Sequence, residues 1–143
     1  MKIIIDADAC PVTDITLQIA KEKGIPCKIV CDNAHYIVRD YAETIVVDKG
    51  ADSADLKIAN TVSRGDIVVT QDYGLAALIL GKGGKAVNQN GLIFNNENIE
   101  NLLYSRFINK KIRLSGGRTK GPPARTPEND RAFRISLLRL LEE

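Results

Sequence analysis

Long hydrophobic runs are missing from this chain of 143 residues, because its isoleucines, leucines and valines are repeatedly interrupted by polar and charged residues. No stretch approaches the roughly 20 apolar residues that a bilayer-spanning helix needs. The opening residues MKIIIDADACPV reach an acid after only three isoleucines, which is not typical of a secretory leader. We therefore expect a cytoplasmic protein with no membrane partner.

Cysteine and histidine are also scarce, with three cysteines and one histidine. An odd number of cysteines without disulfide-like spacing is typical of a reducing compartment. Cys27 and Cys31 fall in one predicted strand, about 13 Å apart, which is too far for a disulfide. So few soft ligands argue against a four-ligand zinc site, and we interpret the cysteines as core fillers.

What is present is 44% hydrophobic and 27% charged residues, a balance typical of one globular domain. Short apolar runs, predicted as strands, alternate with helical patterns. Such alternation predicts a three-layer α/β/α fold over residues 1–143, with a mainly parallel sheet of about five strands. The predicted strands are 2–6, 27–31, 44–47, 67–70 and 85–88, with a short extended piece at 92–94. The predicted helices are 11–23, 52–63, 73–80, 98–111 and a last one that starts at 127.

The helix predicted at 98–111 is amphipathic. Its periodicity predicts that Ile99, Leu102, Leu103 and Phe107 face the core. Beyond it, 115–126 is a basic segment rich in glycine and proline, and the last helix follows.

Aspartates follow the predicted strands at their carboxyl ends, where ligands bind in open parallel sheets. Asp6 and Asp8 follow the first strand and share one face of an extended segment. Asp52 and Asp55 come after the third strand and continue the apolar stripe of their helix, so both should point inward. Asp72 follows the fourth strand. Asp48 also follows the third strand, and Asp32 follows the second as a weaker candidate.

Helix capping explains Asp52 or Asp72 taken singly, but not Asp6, which closes a buried strand. Carboxylates that converge on one rim raise one another's pKa unless a cation compensates. Mg²⁺ and Mn²⁺ are the cations that all-oxygen sites select. The sequence therefore predicts a Mg²⁺ or Mn²⁺ site, with Asp6, Asp8, Asp55 and Asp72 as catalytic metal ligands and Asp52 as a further ligand.

Charge is distributed unevenly along the chain. Residues 1–104 hold ten basic and fourteen acidic side chains, whereas residues 105–143 hold ten basic and four acidic ones. An acidic body with a basic C-terminal segment favours an anionic partner, for which nucleic acid is the obvious candidate; a solvated tail is the simpler alternative. The predicted nucleic-acid-binding residues are Arg118, Lys120, Arg125, Arg131 and Arg134.

Four segments resemble the YaiI/YqxD family of bacterial proteins in the same order: IIIDADACPV, GADSADLKIA at 50–59, GDIVVTQDYGLAA at 65–77, and GRTKGPP followed by DRAF at 130–133. The resemblance runs over nearly the whole chain. It implies a PIN-like domain, in which acids at the strand ends hold Mg²⁺ or Mn²⁺ and cut RNA or DNA. The metal ligands it implies are Asp6, an acid of the GADSAD segment and Asp72.

Three functions remain open at this stage. The first is metal-dependent hydrolysis of RNA or DNA phosphodiesters, with RNA as the expected partner. In this reaction the metal activates water and stabilises the leaving oxygen. The second is nucleic-acid or nucleotide binding without turnover. The third is a phosphohydrolase in which Asp6 attacks phosphate and Asp8 acts as acid and base, since Asp-x-Asp after an apolar strand also opens the haloacid-dehalogenase superfamily.

Overall fold

The computed structural model of the chain describes residues 1–7, 10–50, 53–117 and 124–143. The strands are β1 (Ile3–Asp6), β2 (Cys27–Asp32), β3 (Glu43–Val47), β4 (Ile67–Val69), β5 (Lys85–Val87) and β6 (Ile93–Phe94). The α-helices are α1 (Thr13–Lys23), α2 (Ser53–Thr61), α3 (Tyr73–Gly81), α4 (Ile99–Leu114) and α5 (Pro127–Glu142), and a short 3₁₀ helix spans Asn33–His35.

The strands form one sheet in the order β3-β2-β1-β4-β5-β6. The first five are parallel to one another, and β6 pairs with β5 in the antiparallel sense. The predicted three-layer α/β/α fold with a mainly parallel sheet is confirmed. The sheet has six strands where about five were expected, because the extended piece at 92–94 joins it through the pair Val87 and Ile93.

Helices cover both faces of the sheet, which explains why the central strands are apolar without interruption. Ile3 and Ile5 of β1 face a cluster that includes α1 and α5, with Leu17 and Phe133 among its buried members. Ile4 faces the opposite cluster, which α2, α3 and α4 complete. All three isoleucines are fully buried.

The helix ends follow local sequence signals with one shift. The first helix begins at Thr13 rather than at Pro11, and it ends at Gly24, whose φ of 67° is the left-handed conformation that glycine adopts readily. The last helix begins as predicted, because Thr126 and Asn129 form a capping box ahead of its first turn.

The fourth helix departs most from expectation. Ile99 is buried and Leu102 and Leu103 are partly buried, as predicted. The inward orientation predicted for Phe107 is wrong, since its side chain is 54% exposed. The helix also continues to Leu114, and residues 109–114 at its end are all exposed.

The strand order reverses its direction of winding between β1 and β4, which are neighbours in the sheet although their paired residues are 64 positions apart in the chain. The segments that leave these two strands run to opposite sides, which opens a crevice beyond the carboxyl ends of the strands. In the described part of the chain, no helix combines the length and the apolar character needed to cross a membrane.

Candidate functional site

A cleft of about 400 Å³ occupies this crevice. Its walls come from the ends of β1, β2, β3 and β4 and from the starts of α2 and α3. The side chains that line it with charge or amide groups are Asp6, Asp32, Asp48, Asp55, Gln71, Asp72 and Arg106. Three of the aspartates predicted from sequence, Asp6, Asp55 and Asp72, therefore line one cleft, although Asp6 and Asp72 are 66 positions apart in the chain.

Thr70 connects the two strands on either side of the crevice. Its hydroxyl donates a hydrogen bond to Asp6 Oδ2 at 2.8 Å and accepts one from the backbone N–H of Asp72 at 3.0 Å. Thr70 is buried, so water does not compete for these bonds. The bridge fixes one oxygen of the half-buried Asp6 relative to the turn that leads into α3.

Asp72 and Asp55 both lie at helix starts. Asp72 is the N-cap of α3, and its Oδ1 accepts the N–H of Leu75 at 3.1 Å. Asp55 lies in the first turn of α2, half-buried against the cleft. Asp72 can therefore cap the helix and still line the cleft, because only its Oδ1 accepts the capping hydrogen bond.

Arg106 of α4 is the one basic side chain among the described residues that line the cleft. Its Nη1 lies 3.4 Å from Asp72 Oδ1. Both side chains remain partly exposed, so this ion pair contributes little to stability. Its position matters more, because it places a guanidinium in a cleft that five carboxylates also line.

The donor chemistry of the cleft fits a hard divalent cation, since its acids offer only oxygen. This agreement concerns the type of donor atom and not the arrangement of the donors around an ion. Among the described residues, no three carboxylate, thiolate or imidazole side chains are grouped closely enough to enclose an ion. Asp8 and Asp52, two of the predicted ligands, lie outside the described residues.

The comparisons with known proteins concern the whole chain. Residues 4–143 match a family model described as "Uncharacterized BCR, YaiI/YqxD family". The chain belongs to the YaiI/YqxD family. The resemblance found in the sequence motifs is thereby confirmed.

Relatives named UPF0178 protein support the membership. The protein of Ruminiclostridium cellulolyticum is 53% identical over 138 residues, covering 96% of this chain and 90% of the relative. That of Exiguobacterium sibiricum is 51% identical over 143 residues, covering 100% of this chain and 98% of the relative. That of Clostridium kluyveri is 45% identical over 141 residues, covering 99% and 93%.

A solved structure that resembles this YaiI/YqxD protein is that of a mutant of Rae1 (YacP) from Bacillus subtilis. The two chains share 16% sequence identity with a TM-score of 0.45, and the likeness covers 99% of this chain and 97% of the other.

The described basic residues that were predicted to bind nucleic acid do not line the cleft. Arg125 donates to Asp130 Oδ1 at 2.5 and 3.1 Å and to Asn90 Oδ1 at 2.8 Å. Arg131 pairs with Glu128 at 2.5 Å, and Arg134 is half-exposed on α5. Arg118 and Lys120 lie outside the described residues. Nucleic-acid binding by these five residues stays a prediction.

Cys10 is a free thiol that packs, partly buried, against the cluster formed by β1, α1 and α5. Burial raises the pKa of Cys10, and the nearby carboxylate of Asp6 raises it further, while hydrogen bonds from Val12 and Thr13 and the charge of Arg125 act in the opposite direction. The net effect is a raised pKa, which favours the protonated thiol over the thiolate that binds metal ions.

Two contributors to the site were not predicted from sequence. The sequence pattern indicates Thr70 only as the end of a strand and Arg106 only as part of an amphipathic helix. Asp48 and Asp32 are strand-end acids outside the predicted ligand set, and both line the cleft. What these four residues share is their place in the topology, since each lies on an element that ends at the crevice or passes beside it.

Proposed function

We propose that this protein is a divalent-metal-dependent hydrolase of nucleic-acid phosphodiesters, with RNA as the first substrate to test. The observation that carries the proposal is the meeting of Asp6, Asp55 and Asp72 in one cleft at the reversal of strand order. The PIN-like character that the family resemblance implies agrees with it.

The acids of the cleft exceed its cations by five to one among the described lining residues. Such an excess is unfavourable unless a cation is bound, because neighbouring carboxylates repel each other. We propose Mg²⁺ or Mn²⁺, held by Asp6, Asp55 and Asp72 with Asp8 and Asp52. A bound ion of this kind lowers the pKa of a coordinated water and neutralises charge on a phosphate.

The residues of the chain would then divide the remaining work. Thr70 holds Asp6 in a fixed orientation through its 2.8 Å hydrogen bond. Arg106 is placed to exchange its weak ion pair with Asp72 for a phosphate oxygen, since guanidinium groups bind phosphate in a forked geometry. In this arrangement Arg106 would draw the phosphate toward an acidic rim that otherwise repels it.

Binding of nucleic acid without turnover is the second candidate. The contact between Arg106 and Asp72 favours it, because the cleft already contains one cation of its own. Binding that is unchanged by a chelator and that weakens steeply with salt would support this alternative.

Cleavage of a labelled single-stranded RNA tests the main proposal. With Mn²⁺ the purified protein should cut the RNA, EDTA should stop the reaction, and Asp6→Asn should lower the rate by at least about 100-fold, since it removes a metal-binding oxygen. The matched control is Asp40→Asn, an exposed aspartate away from the cleft lining, which should keep the rate within about twofold. Equal rates for wild type and Asp6→Asn would attribute the cleavage to a contaminant and overturn the proposal.

A further inference from the structure

From residue 104 onward, α4 exposes several large apolar side chains. Tyr104 and Phe107 are 65% and 54% exposed, and Leu114 is 78% exposed. Only Ile99, in the first turn, is fully packed into the body. Large aromatic side chains left in water along one helix are a feature of binding surfaces.

The exposed side chains form two adjacent stripes, because residues three or four apart share a face of a helix. Arg106, Lys110 and Arg113 continue the stripe that begins with Ile99 at the core. Tyr104, Phe107 and Lys111 form the neighbouring stripe, in which Lys111 Nζ lies 5.4 Å from the centre of the Phe107 ring. A cationic stripe thus runs beside an aromatic one.

The positive charge of the C-terminal region is concentrated here. Residues 105–125 contain seven lysines and arginines and no acid, whereas α5 contains three of each sign. The helix α4 alone has four basic residues and one acid. The basic surplus that the sequence shows after residue 104 therefore begins on α4 and is absent from α5.

Arg106 joins this surface to the cleft, since it belongs to the cationic stripe and also contacts Asp72. We propose that single-stranded nucleic acid runs along α4 into the cleft. Its phosphates would bind Arg106, Lys110 and Lys111, and its bases would stack on Tyr104 and Phe107. We call these five residues the α4 surface. The inference rests on the proposed function, because it supplies the path by which that substrate reaches the acids.

Single strands fit this surface better than duplex does, because only unpaired bases offer free faces to aromatic rings. A second copy of this chain fits less well. Symmetric pairing of α4 with itself would bring two cationic stripes together, and like charges across an interface are unfavourable.

Fluorescence anisotropy with a fluorescein-labelled 20-nucleotide poly(U) tests the proposal in EDTA, so that binding is measured without cleavage. Replacing two charges with Lys110→Gln and Lys111→Gln should weaken binding about tenfold or more at 0.1 M salt. The slope of log affinity against log salt should also fall by about 1.4, since each lost phosphate contact on a single strand contributes about 0.7.

The aromatic residues should respond differently. Tyr104→Ala and Phe107→Ala should each weaken binding by about tenfold while leaving the salt slope unchanged, because stacking releases no counterions. The matched control is Arg139→Gln, which removes one exposed charge from α5 and should keep the affinity within about twofold. Circular dichroism of every variant checks that the fold is kept.

Each result has one meaning. Wild-type affinity and slope in the lysine and aromatic variants would overturn the α4 surface, even if the RNA is cleaved. A wild-type protein that is dimeric in sedimentation and becomes monomeric on Phe107→Ala, with unchanged RNA affinity, would assign the surface to a second copy and overturn the inference. Normal binding by Asp6→Asn together with weak binding by the α4 variants would support the surface whether or not cleavage is found.

Discussion

Aspartates lie at both ends of the parallel sheet, and the two ends hold them in different ways. At the amino end, Asp66 immediately precedes β4 and is 2% exposed. It accepts hydrogen bonds from Lys2 Nζ at 2.6 Å, from the Ser63 N–H at 2.7 Å and from the Lys2 N–H at 3.1 Å. At the carboxyl end, the acids are more exposed, and the described residues that line their cleft include one arginine.

This difference separates a structural carboxylate from candidate ligands for a cation. Burial alone would raise the pKa of Asp66, but the hydrogen bonds and charge of Lys2 and the Ser63 N–H bring it below its ordinary value. The amino end therefore contains its own cation, supplied by the register that sets Lys2 beside Asp66. Among the described residues that line the cleft at the carboxyl end, five acids face one arginine, and the proposed function assigns the complementary charge to a cation from solution.

The largest effect that we expect from this contrast follows Asp66→Asn. The asparagine amide keeps one acceptor oxygen, but its N–H₂ group faces the N–H donors that the second carboxylate oxygen accepted. The Lys2 ammonium also loses its charged partner. The variant should lose about 2–4 kcal/mol of unfolding free energy, measured from urea denaturation.

Asp72→Asn is the matched control at the other end. Asparagine caps a helix about as well as aspartate does, and the ion pair with Arg106 is largely exposed. Its unfolding free energy should therefore stay within about 0.5 kcal/mol of wild type. Equal losses in Asp66→Asn and Asp72→Asn would contradict the distinction between the two ends.

The sequence predicted the fold well, because buried parallel strands are short apolar runs with clear interruptions. It could not predict that Ile93 and Phe94 join the sheet, since a two-residue strand is defined by its partner β5. The orientation of Phe107 was missed for a related reason. Helical periodicity gives the face on which a residue lies, but not how far along the helix the body of the protein extends.

The acids of the cleft could be predicted because topology brings strand ends together, whatever their distance in sequence. The contacts of Thr70 and Asp66 depend on strands paired across 64 residues, and that of Arg106 depends on how α4 docks. None of these has a local pattern. Asp66 and Asp72 belong to the same stretch of sequence, but Asp66 precedes β4 and Asp72 follows it. This position relative to the strand is what separates the structural aspartate from the one that lines the cleft.

The pH dependence of the unfolding free energy tests whether the charge of Asp66 is what stabilises the amino end of the sheet. Since the pKa of Asp66 is lower in the folded state, its charge stabilises the fold above about pH 4, and this contribution is lost as the pH falls through the folded pKa. The gap in unfolding free energy between wild type and Asp66→Asn should stay constant from about pH 5 to pH 8 and narrow below about pH 4. Urea denaturation across this range measures it, and a gap that persists unchanged in acid would show that the charge is not what stabilises.

The smallest expected effect concerns the cation at the carboxyl end. At ten times its dissociation constant, Mn²⁺ should stabilise wild type by about 1.4 kcal/mol, because it binds the folded state, and should raise the melting temperature by about 3–5 °C. Asp66→Asn should keep this increment, since its lesion lies at the other end, whereas Asp6→Asn should lose it. An equal rise with NaCl at matched ionic strength, or an undiminished rise in Asp6→Asn, would mean that Mn²⁺ only screens charge and that the acidic cleft does not select a divalent ion.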